Sequence, residues 1–262
     1  MNTAVPPAFS DEYIKDLEVT IRNRASLAAN KNLLFWYERL YQEQFRELRD
    51  LESRTILEIG SGVSPLTRFY PTVLTSDVLQ LDYLDYVFDC HQIDNYAAIA
   101  DQSLDVITLT NVLHHLKSPL DFLAKAAVKL KPGGVLIATE PHFSFLSTVI
   151  NKLFHHEPVQ FSIDKPELSE VRGPLSSANQ ALAWLIFRRP EWSQRVAEHF
   201  DFEPHNFRPF TALSYFLTGG ISRRFPIPHF IYRVIFSVDL WLSRVFPRLT
   251  ASFFTIRLMR RP

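Results

Sequence analysis

Apolar residues along the chain follow two patterns, which are short continuous runs and stretches with a spacing of three and four. The first pattern is typical of buried strands and the second of amphipathic helices. Helical spacing covers residue 11 to about residue 50, and Ser10 can cap the first turn. A short apolar run follows at residues 55–59 and stops at Gly60. We therefore predict a helical segment that leads into a buried strand.

Runs and helical stretches continue to alternate as far as Pro141. Further strands are predicted at residues 72–78, 86–89, 104–111 and 135–140, and a helix at residues 119–130. Crossovers between alternating strands and helices build a parallel sheet that is covered on both faces. After Pro141 we predict helices at residues 143–154, 176–187, 190–199 and 230–246, and strands at 200–209 and 251–259. The predicted fold is α/β, with a doubly wound, mostly parallel seven-stranded sheet, N-terminal helices and a helical insertion before the last strands.

Composition and charge narrow the classes of partner. The chain has 262 residues with no net charge, and 47% of them are hydrophobic, which is sufficient for a large core. No lysine or arginine lies between Arg68 and Lys117, where seven aspartates occur. This acidic middle would repel phosphate, so we expect no nucleic acid partner.

Cysteine content and segment lengths bear on metals and membranes. Cys90 is the only cysteine, so a disulfide within the chain is excluded and a cysteine-based zinc site is not expected. His155-His156-Glu157 is not expected to bind a metal either, because adjacent residues do not share a helix face. Residues 1–10 lack a signal-peptide pattern, and no uncharged apolar run has membrane-spanning length. A cytoplasmic location is the expectation.

A glycine pair follows the first predicted strand directly, in Gly60-Ser61-Gly62. Glycine allows unusual backbone angles and lets a ligand approach the chain closely. Ligands of open α/β sheets bind at the carboxyl ends of the strands. Asp77 ends the second strand, where an acid can bind ribose hydroxyls. The spacing predicts a nucleoside cofactor without identifying it.

Several segments in a fixed order resemble the class I S-adenosylmethionine-dependent methyltransferases, in particular the ubiquinone-biosynthesis-like branch. The segments are Leu57-Glu-Ile-Gly-Ser-Gly62, Asp77, Asp89-Cys90, Ser103-Leu-Asp-Val-Ile-Thr-Leu-Thr-Asn-Val-Leu-His-His115 and Leu130-Lys-Pro-Gly-Gly-Val-Leu136. Ordered motifs are more specific than one glycine pair. The resemblance covers residues 55–141 and implies a Rossmann-like methyltransferase fold and S-adenosyl-L-methionine as cofactor.

The resemblance also implies roles for residues of the glycine turn. Glu58 would reach toward the methionine amino group, directly or through water. Gly60, Ser61 and Gly62 would admit the methionine and ribose part of the cofactor, and Asp77 would bind the ribose hydroxyls.

Three further residues complete the predicted cofactor site. Asp89 would accept a hydrogen bond from the adenine amino group, and the backbone amide of Cys90 would donate to the ring. Asn111 would line the methionine end.

The predicted catalytic residue is His115, because a histidine can serve as a base at neutral pH. Glu140 and His142 end the neighbouring strand, and His114 is interpreted as a surface or packing residue. The acceptor is predicted to be a lipid, quinone or lipid-linked sugar held by aromatic side chains. The proposed aromatic lining is Phe35, Trp36, Tyr37, Phe143, Phe145, Phe154, Trp184, Phe187 and Trp192.

These roles divide the chain into four predicted parts. Residues 1–50 form a helical lid, 51–142 the cofactor-binding core, 143–199 an insertion that covers the substrate, and 200–262 the remaining strands with an arginine-rich apolar helix. Eight arginines and one acid, Asp239, occur from Ile221 onward. The apolar segment at 230–246 fits a helix packed on the core, and it also fits peripheral contact with an anionic membrane surface.

The glycine turn departs from the family pattern at one point. Ser64 replaces the third glycine and Pro65 follows it, which narrows the loop. A non-catalytic binding protein with a degenerate cofactor loop is therefore the alternative. A nicotinamide or flavin is disfavoured because no glycine opens the helix, and a serine hydrolase because no Gly-x-Ser-x-Gly elbow occurs.

Overall fold

The computed structural model describes residues 10–154, 158–202, 207–221 and 224–262. For residues 151–154 it describes the helical backbone but not the side chains. Eight strands form one sheet. Their bounds are β1 Ile56–Ile59, β2 Leu74–Asp77, β3 Tyr86–Val87, β4 Leu104–Thr110, β5 Leu130–Pro141, β6 Phe200–Asp201, β7 Arg208–Phe210 and β8 Phe253–Arg260. The helices are α1 Asp11–Ala29, α2 Lys31–Gln44, α3 Leu66–Phe69, α4 Pro119–Lys129, α5 Phe145–Phe154, α6 Ala181–Ile186, α7 Pro190–Ala197, α8 Ser214–Leu217, α9 His229–Val245 and α10 Pro247–Thr250.

The strand order is β3-β2-β1-β4-β5-β8-β6, and β7 also pairs with β8. Strands β1 to β5 are parallel, whereas β8 runs antiparallel to β5, β6 and β7. The predicted mostly parallel doubly wound sheet is confirmed. Within the described residues it has eight strands rather than seven, because the predicted strand at 200–209 overlaps both β6 and β7.

Two apolar cores lie on opposite faces of the sheet. In β5, Leu136 and Ala138 belong to the core under α4, α6 and α7, whereas Val135 and Ile137 belong to the core under α2 and α9. Alternate residues of a strand point to opposite faces, so a strand covered on both sides is apolar throughout. This explains the continuous apolar runs in the sequence.

The predicted N-terminal helix is two helices. Ser10 caps α1 by accepting from the backbone amide of Tyr13, and the Asn30 side chain caps α2 by accepting from Leu33. Asn30 has extended backbone angles, so it ends one helix and starts the next.

The strand order reverses between β1 and β4, and ligands of such sheets bind at this point. Residues 60–64 follow β1 and Asn111 follows β4, so the sheet brings together segments that are about fifty residues apart. The four-part division of the chain remains a prediction.

Candidate active site at the carboxyl edge of the sheet

A cavity of about 1190 Å³ opens at the ends of β1, β2 and β4. Of the predicted site residues, those that line it are Gly60, Gly62, Asp77, Cys90, Asn111 and His115. Glu58, Ser61 and Asp89 are described by the structure but do not belong to the lining. The strand ends therefore gather most of the predicted site, with three residues placed behind or beside it.

The glycine turn depends on its first glycine. Gly60 has a φ of +77°, and a Cβ built there would lie 2.4 Å from Val112 Cγ2. Ser61 holds the turn to the next strand, because its backbone amide donates to the Ser76 carbonyl oxygen at 2.9 Å. The turn is thus fixed between β1, β2 and the segment after β4.

Asp77 joins the end of β2 to the glycine turn. Its Oδ2 accepts from the Gly62 amide at 2.9 Å and its Oδ1 from the Leu79 amide at 3.0 Å. Burial raises the pKa of this carboxyl above its usual value, although the backbone hydrogen bonds oppose the shift. The result is an oriented carboxylate in the cavity wall that can accept from vicinal hydroxyls.

Glu58 lies behind the cavity in a chain of hydrogen bonds. Ser64 Oγ donates to Glu58 Oε1 at 2.5 Å and lies 2.9 Å from the Tyr41 hydroxyl. Ser64 and Tyr41 line the cavity, whereas Glu58 is buried. Burial raises the pKa of Glu58 to about 7. The serine in place of the third glycine therefore connects Glu58 with the cavity.

An arginine from α1 covers the same turn. Arg24 Nη1 donates to the carbonyl oxygens of Gly62 and Ser64, at 3.3 and 3.1 Å. Its guanidinium lies 3.8 Å from the ring centroid of Tyr83, whose hydroxyl donates to Gly62. Neither residue could be predicted from sequence, because no motif signals contacts with Gly62 from residues 38 and 21 positions away.

Asn111 supplies an acceptor that the protein leaves unused. Its backbone has a φ of +57°, which asparagine tolerates better than most residues. Its buried Oδ1 has no hydrogen-bond partner in the described part of the chain, and the residue lines the cavity. Buried polar atoms are usually paired, so this oxygen fits the amino group of a ligand.

Asp89 and Cys90 are separated by the structure. Cys90 lines the cavity, whereas Asp89 is exposed and its Oδ1 accepts from the His91 amide at 2.9 Å and lies 2.8 Å from His91 Nδ1. Burial opposes ionisation, but these His91 contacts outweigh it and hold the pKa of Asp89 below its usual value. The adenine role of Asp89 remains a prediction.

The same turn brings three potential metal ligands together. Donor atoms of Asp89, Cys90 and His91 lie within 4.8 Å of one another. Burial raises the pKa of the Cys90 thiol well above 9, which disfavours the thiolate that a metal requires. His155, His156 and Glu157 lie outside the described residues.

Two histidines of the turn after β4 line the cavity, not one. His115 Nδ1 donates to the Ser177 carbonyl oxygen at 2.8 Å. His114 Nδ1 lies 2.6 Å from Glu140 Oε2, and it too belongs to the lining. His114 is interpreted from the sequence as a surface or packing residue, and it is a buried, packed residue rather than a surface one. That interpretation does not place it in the cavity wall.

The described residues that line the cavity do not include His142. Burial lowers its pKa to about 4.

The far wall of the cavity consists of helix and loop rather than strand ends. Its members from the last part of the chain include Leu213, Tyr215, Phe216, Leu217, Ile221 and Phe225. Asp239 of α9 holds this wall, because its carboxylate accepts from the backbone amides of Ala212, Leu213 and Ser214 at 2.8 to 2.9 Å. On the opposite side, Asp16 of α1 accepts from the amide of Leu175, which also lines the cavity.

The predicted aromatic lining is largely wrong. Tyr37 lines the cavity, but Trp36 is completely buried between α2, β7 and β8. Phe143 and Trp184 pack with Phe161. Of the remaining predicted residues, those that the structure places outside the lining are Phe35, Phe145, Phe187 and Trp192, and the Phe154 side chain lies outside the described part. Composition alone does not distinguish rings of the core from rings of a cavity.

Comparison with known proteins identifies related sequences. A family model described as a methyltransferase domain matches residues 34–203, which is more than half of the chain. Thiol S-methyltransferase TMT1B of Rattus norvegicus is 30% identical over 119 residues, which cover 38% of this chain and 49% of that protein. The counterpart in Mus musculus is 29% identical with the same coverage. The match thus spans about half the length of these relatives.

Solved structures resemble the fold at low identity. A chain in the complex between the Haloferax volcanii Trm112 methyltransferase activator and a methyltransferase has a TM-score of 0.50 and 13% identity, with 97% of this chain and 100% of that chain covered. N-methyltransferase NodS from Bradyrhizobium japonicum, solved with S-adenosyl-L-homocysteine, has a TM-score of 0.47 and 12% identity, with 96% and 100% covered.

Proposed function

The chain belongs to the methyltransferase domain family and is an S-adenosylmethionine-dependent methyltransferase; on this premise we propose which residues hold the donor and what kind of acceptor is methylated. We also propose that the chain belongs to the ubiquinone-biosynthesis-like branch, whose motifs its sequence resembles. One observation carries it, which is a single cavity with polar strand ends on one side and apolar helices on the other.

The strand-end side fits the donor. Asp77 offers an oriented carboxylate to the ribose hydroxyls, and the unpartnered Asn111 Oδ1 offers an acceptor to the methionine amino group. Glu58 acts on that group through Ser64 and Tyr41, and Gly60 with Gly62 leaves room for the chain of the donor. Ser61 supports the turn, and the Cys90 backbone faces the adenine.

The acceptor is a small apolar or amphipathic molecule. Ligand pockets usually have volumes of about 300 to 1,000 Å³, so a cavity of about 1190 Å³ has room for the donor and part of an acceptor. The walls around Phe216, Leu217 and Phe225 suit an acyl or prenyl chain, as in a lipid, quinone or lipid-linked sugar. The Rattus norvegicus relative is a thiol S-methyltransferase, which adds a thiol to the candidate acceptor groups.

His115 remains our proposed contact to the acceptor near the transferred methyl group. It lines the cavity, and its Nδ1–H is held by a carbonyl oxygen, so Nε2 is its basic nitrogen. In this position it can orient the acceptor toward the transferred methyl group.

Two experiments test the donor and the acceptor separately. Calorimetry with S-adenosylmethionine and S-adenosylhomocysteine should show binding that Asp77→Ala abolishes, and no binding to the unaltered protein would favour the non-catalytic alternative. Methyl-labelled donor should then label a cell lipid extract but not a matched polar extract. Labelling confined to the polar extract would contradict the proposed acceptor.

We further propose that the C-terminal segment contacts an anionic membrane surface, where such an acceptor resides. Helix α9 faces the core through Tyr232, Phe236 and Asp239. The opposite face is apolar and exposed, through Phe230, Val234, Val238, Trp241 and Val245. These residues recur at a spacing of three and four, so they form one stripe along the helix.

Charge favours an anionic lipid surface over other occupants of this stripe. Arg233 of α9 is exposed, as are Arg224 and Arg248, which flank the helix, whereas the one acid of α9, Asp239, is buried. Arg244 is also exposed, but its guanidinium donates to Glu43 Oε2 at 2.9 Å. An apolar face bordered by basic residues binds anionic bilayers through both area and charge. No helix in the described part of the chain is long and apolar enough to cross a membrane.

Sedimentation with vesicles tests this contact. The protein should bind vesicles of phosphatidylserine and phosphatidylcholine more strongly than phosphatidylcholine alone, and Val234→Ser with Trp241→Ser should weaken binding at least about tenfold. Val128→Ser, an exposed valine of α4 on the opposite face of the sheet, is the matched control. Dimerisation through the stripe without vesicle binding would contradict the proposal.

A further inference from the structure

The two histidines of the cavity, His114 and His115, differ in the group that contacts their Nδ1 atoms. His115 Nδ1 donates to an uncharged carbonyl oxygen, that of Ser177. His114 Nδ1 lies against a carboxylate, that of Glu140, and these two side chains are 2% and 0% exposed. A charge has a larger effect on a buried imidazole than a neutral dipole at the same distance.

Both carboxyl oxygens of Glu140 accept hydrogen bonds. Its Oε1 accepts from the backbone amides of Val112 and Leu113 at 2.9 and 2.7 Å, and its Oε2 accepts from His114. Hydrogen bonds to a carboxylate favour its charged form. The hydrogen on His114 therefore resides on Nδ1, and Nε2 is the basic nitrogen. Carboxylate and imidazole form a pair in which protonation of the ring is stabilised.

We propose that His114, positioned by Glu140, is the base that takes the acceptor's proton, and that the acceptor atom is an oxygen or sulfur. The inference rests on the proposed function, because it requires a methyl acceptor in this cavity. A hydroxyl or thiol must lose a proton during transfer, whereas a neutral amine attacks with its lone pair. A carboxylate-backed imidazole thus indicates alcohols, phenols or thiols as the substrate class.

The proton and electrons balance in this step. The donor supplies an electrophilic methyl group, and its carbon–sulfur bond breaks with the electron pair passing to sulfur. The acceptor O–H or S–H bond breaks, its proton passes to His114 Nε2, and the acceptor lone pair forms the bond to the methyl carbon. The positive charge lost by the sulfonium is then carried by His114, next to the Glu140 carboxylate.

Several described groups lie close to His114. The ring of His115 is 4.2 Å away between centroids. Before α6, the Asn179 amide donates to the His114 carbonyl oxygen, and Gln180 lines the cavity; both side chains are neutral. His142, with its pKa lowered to about 4, is uncharged at neutral pH. Glu140 and His115 are two titratable groups that contact the His114 ring.

Imidazole NMR tests the pairing without any acceptor. Resonances of ¹³C-labelled protein are assigned with His114→Gln and His115→Gln, and both rings are then titrated. Glu140→Gln keeps an oxygen for the two backbone amides but removes the charge, so we expect the His114 midpoint to fall by about one pH unit or more. An unchanged His114 midpoint in Glu140→Gln would overturn the pairing.

Matched acceptors test the chemistry. The probes are 4-octylphenol and 4-octylaniline, which share shape and differ in the need for a base. His114→Gln should reduce the rate with the phenol about 100-fold or more and the rate with the aniline less than threefold. His115→Gln should affect both probes alike, and Glu140→Gln should lower the phenol rate while shifting the acidic limb of its pH profile.

Three outcomes would contradict the inference. Equal losses on both probes would assign His114 a structural role, a phenol-specific loss in His115→Gln would make His115 the base, and methylation of the aniline alone would refute the acceptor class. If neither probe is methylated although donor binds, the proposed acceptor fails, and the NMR titration still decides on the pairing.

Discussion

The two walls of the cavity are built on different principles. The donor wall consists of strand ends and the turn after β1, held by buried hydrogen bonds around Glu58 and Asp77. The acceptor wall consists of α8 and the segment that follows it, held by apolar packing and by the Asp239 carboxylate. Residues at strand ends are held in place by the hydrogen bonds of the sheet. Side chains of a helical wall, in contrast, can be exchanged without moving the strand ends. The donor wall should therefore be sensitive to backbone changes, and the acceptor wall to loss of its few anchors.

The largest expected effect comes from the acceptor wall. Asp239→Ala leaves three backbone amides, two of them buried, without their acceptor, so the free energy of unfolding should fall by about 3–5 kcal/mol. Ser243→Ala, on the same buried face of α9, removes one local hydrogen bond and should cost about 1 kcal/mol or less. Urea unfolding measures both.

The same pair of variants tests the independence of the walls. Donor affinity of folded Asp239→Ala, measured by calorimetry, should stay within about threefold of the unaltered protein, because the hydrogen bonds of its carboxylate go to residues 212–214 and not to the turn after β1. A large loss of donor affinity in this variant would show that the two walls form one unit.

On the donor wall, Glu58 should make stability depend on pH. Burial raises its pKa from 4.5 to about 7, so between these values the folded protein retains a proton that the unfolded chain has lost. The associated stability is present below pH 4.5 and is lost as pH rises through about 7, by about 3 kcal/mol in total.

Glu58→Gln is the test of this pH dependence. The amide does not titrate, so the difference in free energy of unfolding between variant and unaltered protein should shift in favour of the variant as pH rises through the window. The raised pKa of Asp77 is common to both proteins and cancels in the difference. A constant difference from pH 4 to pH 8 would mean that Glu58 titrates normally.

A smaller effect is expected at Gly60. Gly60→Ala places a methyl group 2.4 Å from Val112 Cγ2 at a positive φ, whereas Gly133→Ala meets a similar φ, +74°, with no atom within 4 Å. Both variants carry a backbone cost of about 1–2 kcal/mol. Only Gly60→Ala must also displace Val112, so it should lose about 1 kcal/mol more and bind donor at least about tenfold more weakly. Equal effects of Gly60→Ala and Gly133→Ala in calorimetry and urea unfolding would mean that the contact with Val112 does not constrain the turn.

The two walls also differ in how much of their structure could be predicted from the sequence. The donor wall could be predicted because its residues follow apolar strands directly, and the sheet order brings strand ends together. The place of His114 in the cavity wall could not be predicted, because its partner, Glu140, lies twenty-six residues away on β5. The acceptor wall could not be predicted, because which rings face a cavity depends on how helices pack. Trp36 and Phe216 are both aromatic, but one is core and the other lines the cavity.

The smallest expected effect concerns the residue that departs from the family pattern. Ser64→Gly would restore the third glycine, but it also removes the hydroxyl that donates to Glu58 and lies next to Tyr41. That hydrogen bond lowers the pKa of Glu58, so its loss should favour the neutral carboxyl and weaken attraction for the donor's amino group. We expect donor affinity to fall about fivefold, equivalent to about 1 kcal/mol.

Ser64→Ala separates the hydroxyl from the loop shape, because alanine removes the hydroxyl and keeps the Cβ. If the hydroxyl matters, alanine and glycine should weaken donor binding alike in calorimetry. If the serine instead narrows the loop, glycine should bind the donor more tightly than serine, and alanine should not. Tighter binding by Ser64→Gly would mean that the serine in place of the family's third glycine weakens donor binding. This outcome would support the non-catalytic alternative. Weaker binding by both would mean that this serine is part of how the wall holds its ligand.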